Sequence, residues 1–203
     1  MNGKKLKSSL NDKSKFTVTA ELACGPGFNI KPVIRFLSGY KEKGPSALPA
    51  DFDLAGITVP QNPGGISNLE PADVLSKILS EDLLGDLDYI PHISCKDHNK
   101  SALRAALAGY KSKGVDSLLA LTGDKPATSK GVFELGAIGL LQLVSKVNNK
   151  AYEKAKPDQL EAVHQFFAGA AVSPFKYTEA SQMQQYYTME KKITAGARFI
   201  ITQ

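Results

Sequence analysis

The sequence has few cysteines and no long apolar run. Its two cysteines, Cys24 and Cys95, are too few to form a disulfide framework in a chain of 203 residues, so we expect both to be thiols. No window approaches the roughly 18 uninterrupted apolar residues of a membrane span, and residues 1–15 lack the apolar stretch of a signal peptide. These absences predict a cytoplasmic protein that does not cross a membrane.

Positive charge is in excess only at the start of the chain. Residues 1–15 carry five lysines and one aspartate, which gives +4 and leaves +1 of the total +5 for the other residues. A nucleic-acid interface needs basic groups gathered on a folded face, so we expect no nucleic-acid partner. We predict a basic, flexible leader over residues 1–15. Hydrophobic residues make up 42% of the chain, enough for a real core, which excludes disorder.

Short apolar runs rich in β-branched and aromatic residues alternate with segments whose apolar positions recur three and four residues apart. The predicted strands are Phe16–Leu22, Phe52–Val59, Tyr89–Cys95, Asp116–Thr122, Phe166–Val172 and Arg198–Thr202. The predicted helices cover residues 29–43, 71–82, 98–112, 132–149 and 178–195, with Asp97 as the cap of the third. This alternation predicts a parallel sheet covered by helices, either doubly wound or a (β/α)8 barrel.

Two nucleotide-binding patterns are absent, and this favours the barrel. The first strand is followed by Cys24-Gly25-Pro26-Gly27-Phe28 rather than a dinucleotide fingerprint, and no Walker A loop occurs. The strands start 36 residues apart on average, whereas a closed barrel needs eight such units. We therefore predict one domain over residues 16–203, an incomplete (β/α)8 barrel of six units. Its last two units are expected to be cut off, encoded separately or missing from this sequence.

Polar side chains follow the strand ends, at the edge that carries the site in parallel α/β folds. They are Glu21, Thr58, Gln61, Asp97, Asp124 and Gln203.

Four segments, in order and at plausible spacing, resemble the methylenetetrahydrofolate reductase family. They are Phe16–Leu22, Pro91–Asn99, Leu119–Pro126 and Phe199–Gln203. The resemblance implies a (β/α)8 barrel that binds FAD and reduces the methylene bridge of 5,10-methylenetetrahydrofolate to a methyl group. It also implies an electron donor, NAD(P)H or a protein, and either a homo-oligomer or a partner that supplies the missing barrel strands.

Two acidic residues match catalytic positions of that family. Glu21 matches the general acid, and burial at the end of its strand would raise its pKa as the chemistry requires. Asp124, after Gly123, matches an aspartate beside the flavin and substrate, where a negative charge makes the reduced ring a better hydride donor. The residues alone leave alternatives open: Glu21 could cap or pair with a lysine, and Gly-Asp pairs commonly form turns.

Further positions match flavin contacts of the family. Thr58 matches a hydroxyl on the FAD phosphates, while His92, Gly123 and Ala170 match positions near the flavin. His92 could instead be a satisfied core histidine. A metal site formed by His92, Cys95 and His98 is not expected, because strand alternation points the first two to opposite faces.

The last part of the chain supplies the remaining matches. Lys192 matches a lysine on the ribityl-pyrophosphate chain, although it could also be one of a solvated Lys191-Lys192 pair. Gln185 and Thr188 stand where the family has flavin ligands, and their role is left open. Gln203 matches the glutamine that recognises the pterin.

Two other functions remain open at this point. One is a non-catalytic barrel subunit that needs a partner for its missing strands. The other is a flavin-free folate or pterin methyltransferase-type barrel.

Overall fold

A computed structural model describes residues 5–126, 128–153 and 165–203. Its strands are β1 (Phe16–Glu21), β2 (Phe52–Val59), β3 (Asp88–Ser94), β4 (Ser117–Leu121), β5 (Phe167–Val172) and β6 (Phe199–Thr202). All neighbours pair in parallel, and the spatial order of the strands is the chain order. The sheet curls into part of a barrel, which confirms the predicted incomplete (β/α)8 architecture.

Among the residues that the structure describes, five helices connect the strands and one precedes them. The helices are α1 (Lys5–Asn11), α2 (Lys31–Lys43), α3 (Pro71–Ser80), α4 (Lys100–Ser112), α5 (Ala137–Glu153) and α6 (Glu179–Thr194). Short 3-10 turns cover Gly44–Ala47 and Pro63–Gly65. Within the described ranges, no helix combines the length and apolar character needed to cross a membrane.

The starts of α4 and α5 differ from the sequence prediction because side chains cap these helices elsewhere. The third predicted helix, α4, is capped by Asn99, whose Oδ1 accepts from the Ala102 N–H at 2.9 Å, and not by Asp97. Helix α5 begins at Ala137, where the Thr122 hydroxyl accepts the backbone N–H at 3.1 Å. An oxygen placed at the first turn satisfies an amide that has no partner within the helix, and so fixes where each helix begins.

The main core lies between the sheet and its helices. Fully buried leucines of α2, α3, α4 and α5 meet the outward-facing residues of the strands; they are Leu37, Leu75, Leu103 and Leu140. A second, smaller cluster lies on the concave face and is formed by Leu6, Ala55, Ile90 and Leu119. Strands β2, β3 and β4 therefore bury both faces, as parallel strands do.

Part of the segment predicted as a solvated leader, residues 5–11, is helical and packed. Residues Lys5–Asn11 form α1, which lies against the amino ends of the strands and places Leu6, only 2% exposed, in the concave cluster. The Asp88 carboxylate accepts the backbone N–H groups of Leu6 at 3.1 Å and Lys5 at 3.3 Å. Burial raises the pKa of Asp88, and these two amides oppose that rise. The burial of Leu6 and the hydrogen bonds to the Asp88 carboxylate thus stabilise a packed helix in this segment despite its basic composition.

Candidate functional site

Three of the predicted site residues lie on the concave face at the carboxyl ends of neighbouring strands. Glu21 of β1 pairs in register with Thr58 of β2, and Thr58 pairs with Ile90 of β3. His92 follows two residues after Ile90 and therefore faces the same side. Parallel pairing in chain order brings these residues together, although 71 positions separate the first from the last.

The His92 imidazole is the buried polar group of this face. Its side chain is 9% exposed, and its Nε2 lies 3.9 Å from Glu21 Oε2, beyond hydrogen-bond distance. In the part of the chain that the structure describes, this nitrogen has no hydrogen-bond partner. Burial lowers the pKa of His92 to about 4, so the ring is neutral at physiological pH. A neutral, unpartnered nitrogen is available to bond a molecule on the concave face.

The burial expected for Glu21 is not found. Its side chain is 63% exposed, because it lies at the outer end of β1, which is an edge strand of the described sheet. The carboxyl group is therefore open to a molecule that approaches the carboxyl edge.

Gly123 lets the loop after β4 approach β3 closely. Its φ of +91° favours glycine, and a Cβ at this position would collide with the Ser94 hydroxyl. Asp124 follows and is exposed; its Oδ2 accepts the Gly64 N–H at 3.0 Å. The Asp124 carboxylate thus accepts a hydrogen bond from the backbone of another loop. A local Gly-Asp turn, the alternative that the sequence left open, would not make this bond.

The other predicted flavin and pterin residues lie around β5 and β6. The Lys192 ammonium donates to the Ala171 carbonyl of β5 at 2.6 Å, and partial burial lowers the pKa of Lys192. Ala170 is fully buried in the helix-covered core, so any contact at this position is limited to its backbone. Gln203 is exposed, and its backbone N–H donates to the Val172 carbonyl at 3.0 Å.

Residues Gln185 and Thr188 of α6 bond to the protein itself. Gln185 Oε1 accepts from the Ser173 N–H at 3.4 Å, just after β5. The Thr188 hydroxyl donates to the Gln184 carbonyl one helical turn back, at 2.8 Å. The two side chains therefore have structural contacts, and their relation to a cofactor stays open.

Sequence reasoning missed two polar residues at this edge, Asn62 and Lys96. Asn62 Nδ2 donates to Asp97 Oδ2 at 2.9 Å, and the same oxygen accepts from the Lys96 ammonium. The Lys96 side chain is only 3% exposed. The available signal was their position in the sequence: Asn62 directly follows Gln61, and Lys96 directly precedes Asp97, two residues already placed after strand ends.

The possible metal ligands after β3 do not converge. Cys95 is buried in the helix-side core, whereas His92 faces the concave side. The His98 Nδ1 lies 3.1 Å from the Ser94 carbonyl oxygen. No group of three or more potential ligands that could hold a metal ion occurs among residues 5–126, 128–153 and 165–203.

The fold and site define the class of protein. Six parallel strands curl with their helices outside, and polar side chains gather at the carboxyl edge, where enzymes built on α/β barrels carry their active sites. Comparison with known proteins then gives the family. Residues 55–203 match the methylenetetrahydrofolate reductase family model, and the chain belongs to that family.

A curated relative carries the name of the same family. The 5,10-methylenetetrahydrofolate reductase of Salmonella typhimurium is 29% identical to this chain over 118 residues, which are 58% of this chain and 34% of that protein. The match thus spans about a third of the relative's length. The family expected from the four resembling segments is confirmed.

Proposed function

We propose that this chain takes part in the reduction of 5,10-methylenetetrahydrofolate to 5-methyltetrahydrofolate, with FAD as cofactor. The observation that carries the proposal is the pair formed by exposed Glu21 and buried His92 on the concave face, 3.9 Å apart. His92 Nε2 has no hydrogen-bond partner among the described residues. Membership of the family supplies the reaction class. The electron donor is proposed to be NAD(P)H or a protein carrier.

The residues of the carboxyl edge fit a flavin. His92 offers a neutral ring nitrogen that has no hydrogen-bond partner among the described residues. Gly123 lets the loop after β4 lie close against β3, because a side chain there would collide with Ser94. Lys192 offers a partly buried cation that suits a phosphate-bearing chain. When bound, FAD supplies the hydride. Thr58, His92 and Lys192 would hold it, and Asp124 would place a negative charge near it.

The proton is proposed to come from Glu21. Opening the bridged folate ring requires protonation of a poorly basic nitrogen, and a carboxylic acid beside the substrate suits this task. The exposure of Glu21 lets the substrate reach the carboxyl group directly. Gln203, exposed at the end of β6, offers an amide with both donors and acceptors for the pterin edge.

A second candidate is a subunit that needs a partner to complete the barrel. Helix α6 has no buried residue. It carries exposed large side chains of largely apolar character, and another lies just before it; they are Met183, Tyr186, Tyr187 and Ile193, with Phe175 before the helix. A partner that covers this side of the barrel would remove these groups from water.

Visible absorption separates the possibilities. The proposal predicts that the purified, folded protein carries a yellow flavin chromophore that co-elutes with it. A colourless folded protein that binds folate would instead indicate the flavin-free methyltransferase-type barrel. A protein that folds and binds flavin only when produced with a partner would favour the subunit role.

Substitution of the proposed acid tests the chemistry. Glu21→Gln should retain flavin and lose folate reduction by about 10²- to 10⁴-fold, the usual contribution of general acid catalysis. Glu42 is an exposed carboxylate of α2, and Glu42→Gln serves as the control. It should leave the rate of folate reduction unchanged. Unchanged turnover in Glu21→Gln would rule out the proton-donor role.

A further inference from the structure

The loop after β2 is hydrogen-bonded to the end of β3 and to the loops after β3 and β4. Gln61 Oε1 accepts the Ser94 N–H at the end of β3, at 2.8 Å. Asn62 reaches Asp97 in the loop after β3. The Gly64 N–H reaches Asp124 in the loop after β4. Residues 61–64 therefore hold together the ends of β2, β3 and β4, which carry much of the proposed site.

Asn62 is fixed on both sides of its amide group. Its Oδ1 accepts the Asn68 N–H at 2.8 Å, and its Nδ2 donates to Asp97 Oδ2 at 2.9 Å. Its backbone is left-handed, with φ +45° and ψ +56°, a conformation that asparagine and glycine tolerate best. The chain enters the Pro63–Gly65 turn from this conformation, so Asn62 sets the direction of the Gly64 N–H.

The anchor for Asn62 is itself rigid. Asp97 accepts from both Lys96 and Asn62, and although partial burial would raise the pKa of Asp97, these bonds hold it below the ordinary value. The Lys96 side chain is 3% exposed, and its stem lies beside Gly123. A charged group at this depth keeps its partner, because an unpaired buried ammonium would be costly.

The Gly64 amide is the contact through which this arrangement reaches Asp124. Among the described residues, it makes the one hydrogen bond of the Asp124 side chain. An exposed carboxylate otherwise samples several rotamers. A fixed amide on Oδ2 selects one of them and leaves Oδ1 without a hydrogen bond among the described residues.

We propose that Asn62 is a positioning residue for Asp124. Held by Asp97 and Lys96, it fixes the turn that presents the Gly64 N–H, and this amide fixes the Asp124 carboxylate. The functional value of the contact rests on the role proposed for Asp124 beside the flavin. The contact itself can be tested without any cofactor.

The first test follows hydrogen exchange of the Gly64 amide by NMR on the ligand-free protein. Asp124→Ala should accelerate this exchange about fivefold, as loss of a bond of about 1 kcal/mol implies. Asn62→Gly keeps the left-handed backbone accessible but removes the side-chain bonds, so it should accelerate the exchange similarly. In the Asn62→Gly background, Asp124→Ala should then accelerate the exchange of the Gly64 amide by a further factor of less than about two.

Two further variants keep this test decisive. Asp97→Ala removes the anchor from the other side and should reproduce the loss, even if Asn62→Gly fails to fold. Asn29→Ala is the control, because among the described residues the Asn29 side chain bonds only the nearby Lys31 N–H. Asn29→Ala should leave the exchange rate of the Gly64 amide unchanged. Gly64 exchange that still responds fully to Asp124→Ala in the folded Asn62→Gly or Asp97→Ala protein would overturn the proposal.

The flavin midpoint potential gives the functional readout. Because a negative charge disfavours reduction of the ring, Asp124→Asn should raise the potential, and Asn62→Gly should shift it in the same direction. Faster Gly64 exchange without a shift in potential would refute the positioning role. Failure to bind flavin would refute the proposed function, while the exchange experiment would still decide whether Asn62 controls Asp124.

Discussion

Leu6 provides a direct test of how α1 closes the amino-terminal end of the barrel. This side chain is 2% exposed and packs on the concave face against Ala55, Ile90 and Leu119. Leu6→Ala would remove three buried carbons and leave a cavity. Buried Leu→Ala substitutions cost about 2–5 kcal/mol. Helix α1 has only seven residues and can settle into the space, so we expect the lower part of this range, about 2–3 kcal/mol.

Urea unfolding and thermal melting measure the effect. For a chain of this size, 1 kcal/mol corresponds to a change of about 2–4 °C in Tm, so Leu6→Ala should lower Tm by about 4–12 °C. The urea midpoint should fall while the slope of the free energy against urea stays unchanged.

Leu10 of the same helix is the matched control. It is 45% exposed, so Leu10→Ala should cost less than about 1 kcal/mol. If residues 1–15 were a solvated leader, both substitutions would be neutral. A Leu6→Ala protein no less stable than Leu10→Ala would therefore refute the packing of α1 in the barrel.

Three other predictions concern the carboxyl edge and α6. Because the folded state keeps His92 neutral until about pH 4 while the unfolded state takes up a proton near 6.5, stability should fall as pH drops through this window. The loss is at most about 3 kcal/mol, and His92→Gln should flatten it in urea titrations at several pH values. Gly123→Ala should destabilise the protein by about 1–3 kcal/mol in thermal melts, because of the positive φ and the collision of the new Cβ. Gly136→Ala is the control and should change stability little, because its Cβ would meet the nearest atom at 3.6 Å. Lys192→Met should lower stability by about 1 kcal/mol, because it loses the hydrogen bond to a strand carbonyl. In a flavin titration it should also bind flavin more weakly than Lys191→Met, the control at an exposed lysine. Equal flavin binding by the two variants would contradict the proposed contact.

The strands were predictable because their signal is local. The run Phe52–Val59 reads as a buried strand from its own residues, and the structure gives it the same bounds. The first and fifth strands differ from the prediction by one residue at one end, since fraying ends depend on single hydrogen bonds. Alternation of strands and helices then leads to parallel pairing, which places Glu21, Thr58 and His92 at one edge.

The burial of individual side chains was harder to predict. Glu21 was expected to be buried and is 63% exposed, because the exposure of a strand-end residue depends on which strand forms the edge. Lys96 reads as a surface residue in the sequence and is 3% exposed. Its burial depends on the loop after β4, which passes over it at Gly123.

The sequence by itself determined the order of strands and helices, the parallel sheet and the edge that carries the candidate site, because hydrophobic periodicity and the end of each strand are encoded by neighbouring residues. Only the tertiary structure decided that Leu6 enters the barrel and that Asn62 and Gly64 reach Asp97 and Asp124. The last two contacts join residues 35 and 60 positions apart. Their distances are set by the register and curl of the sheet, which no local pattern specifies.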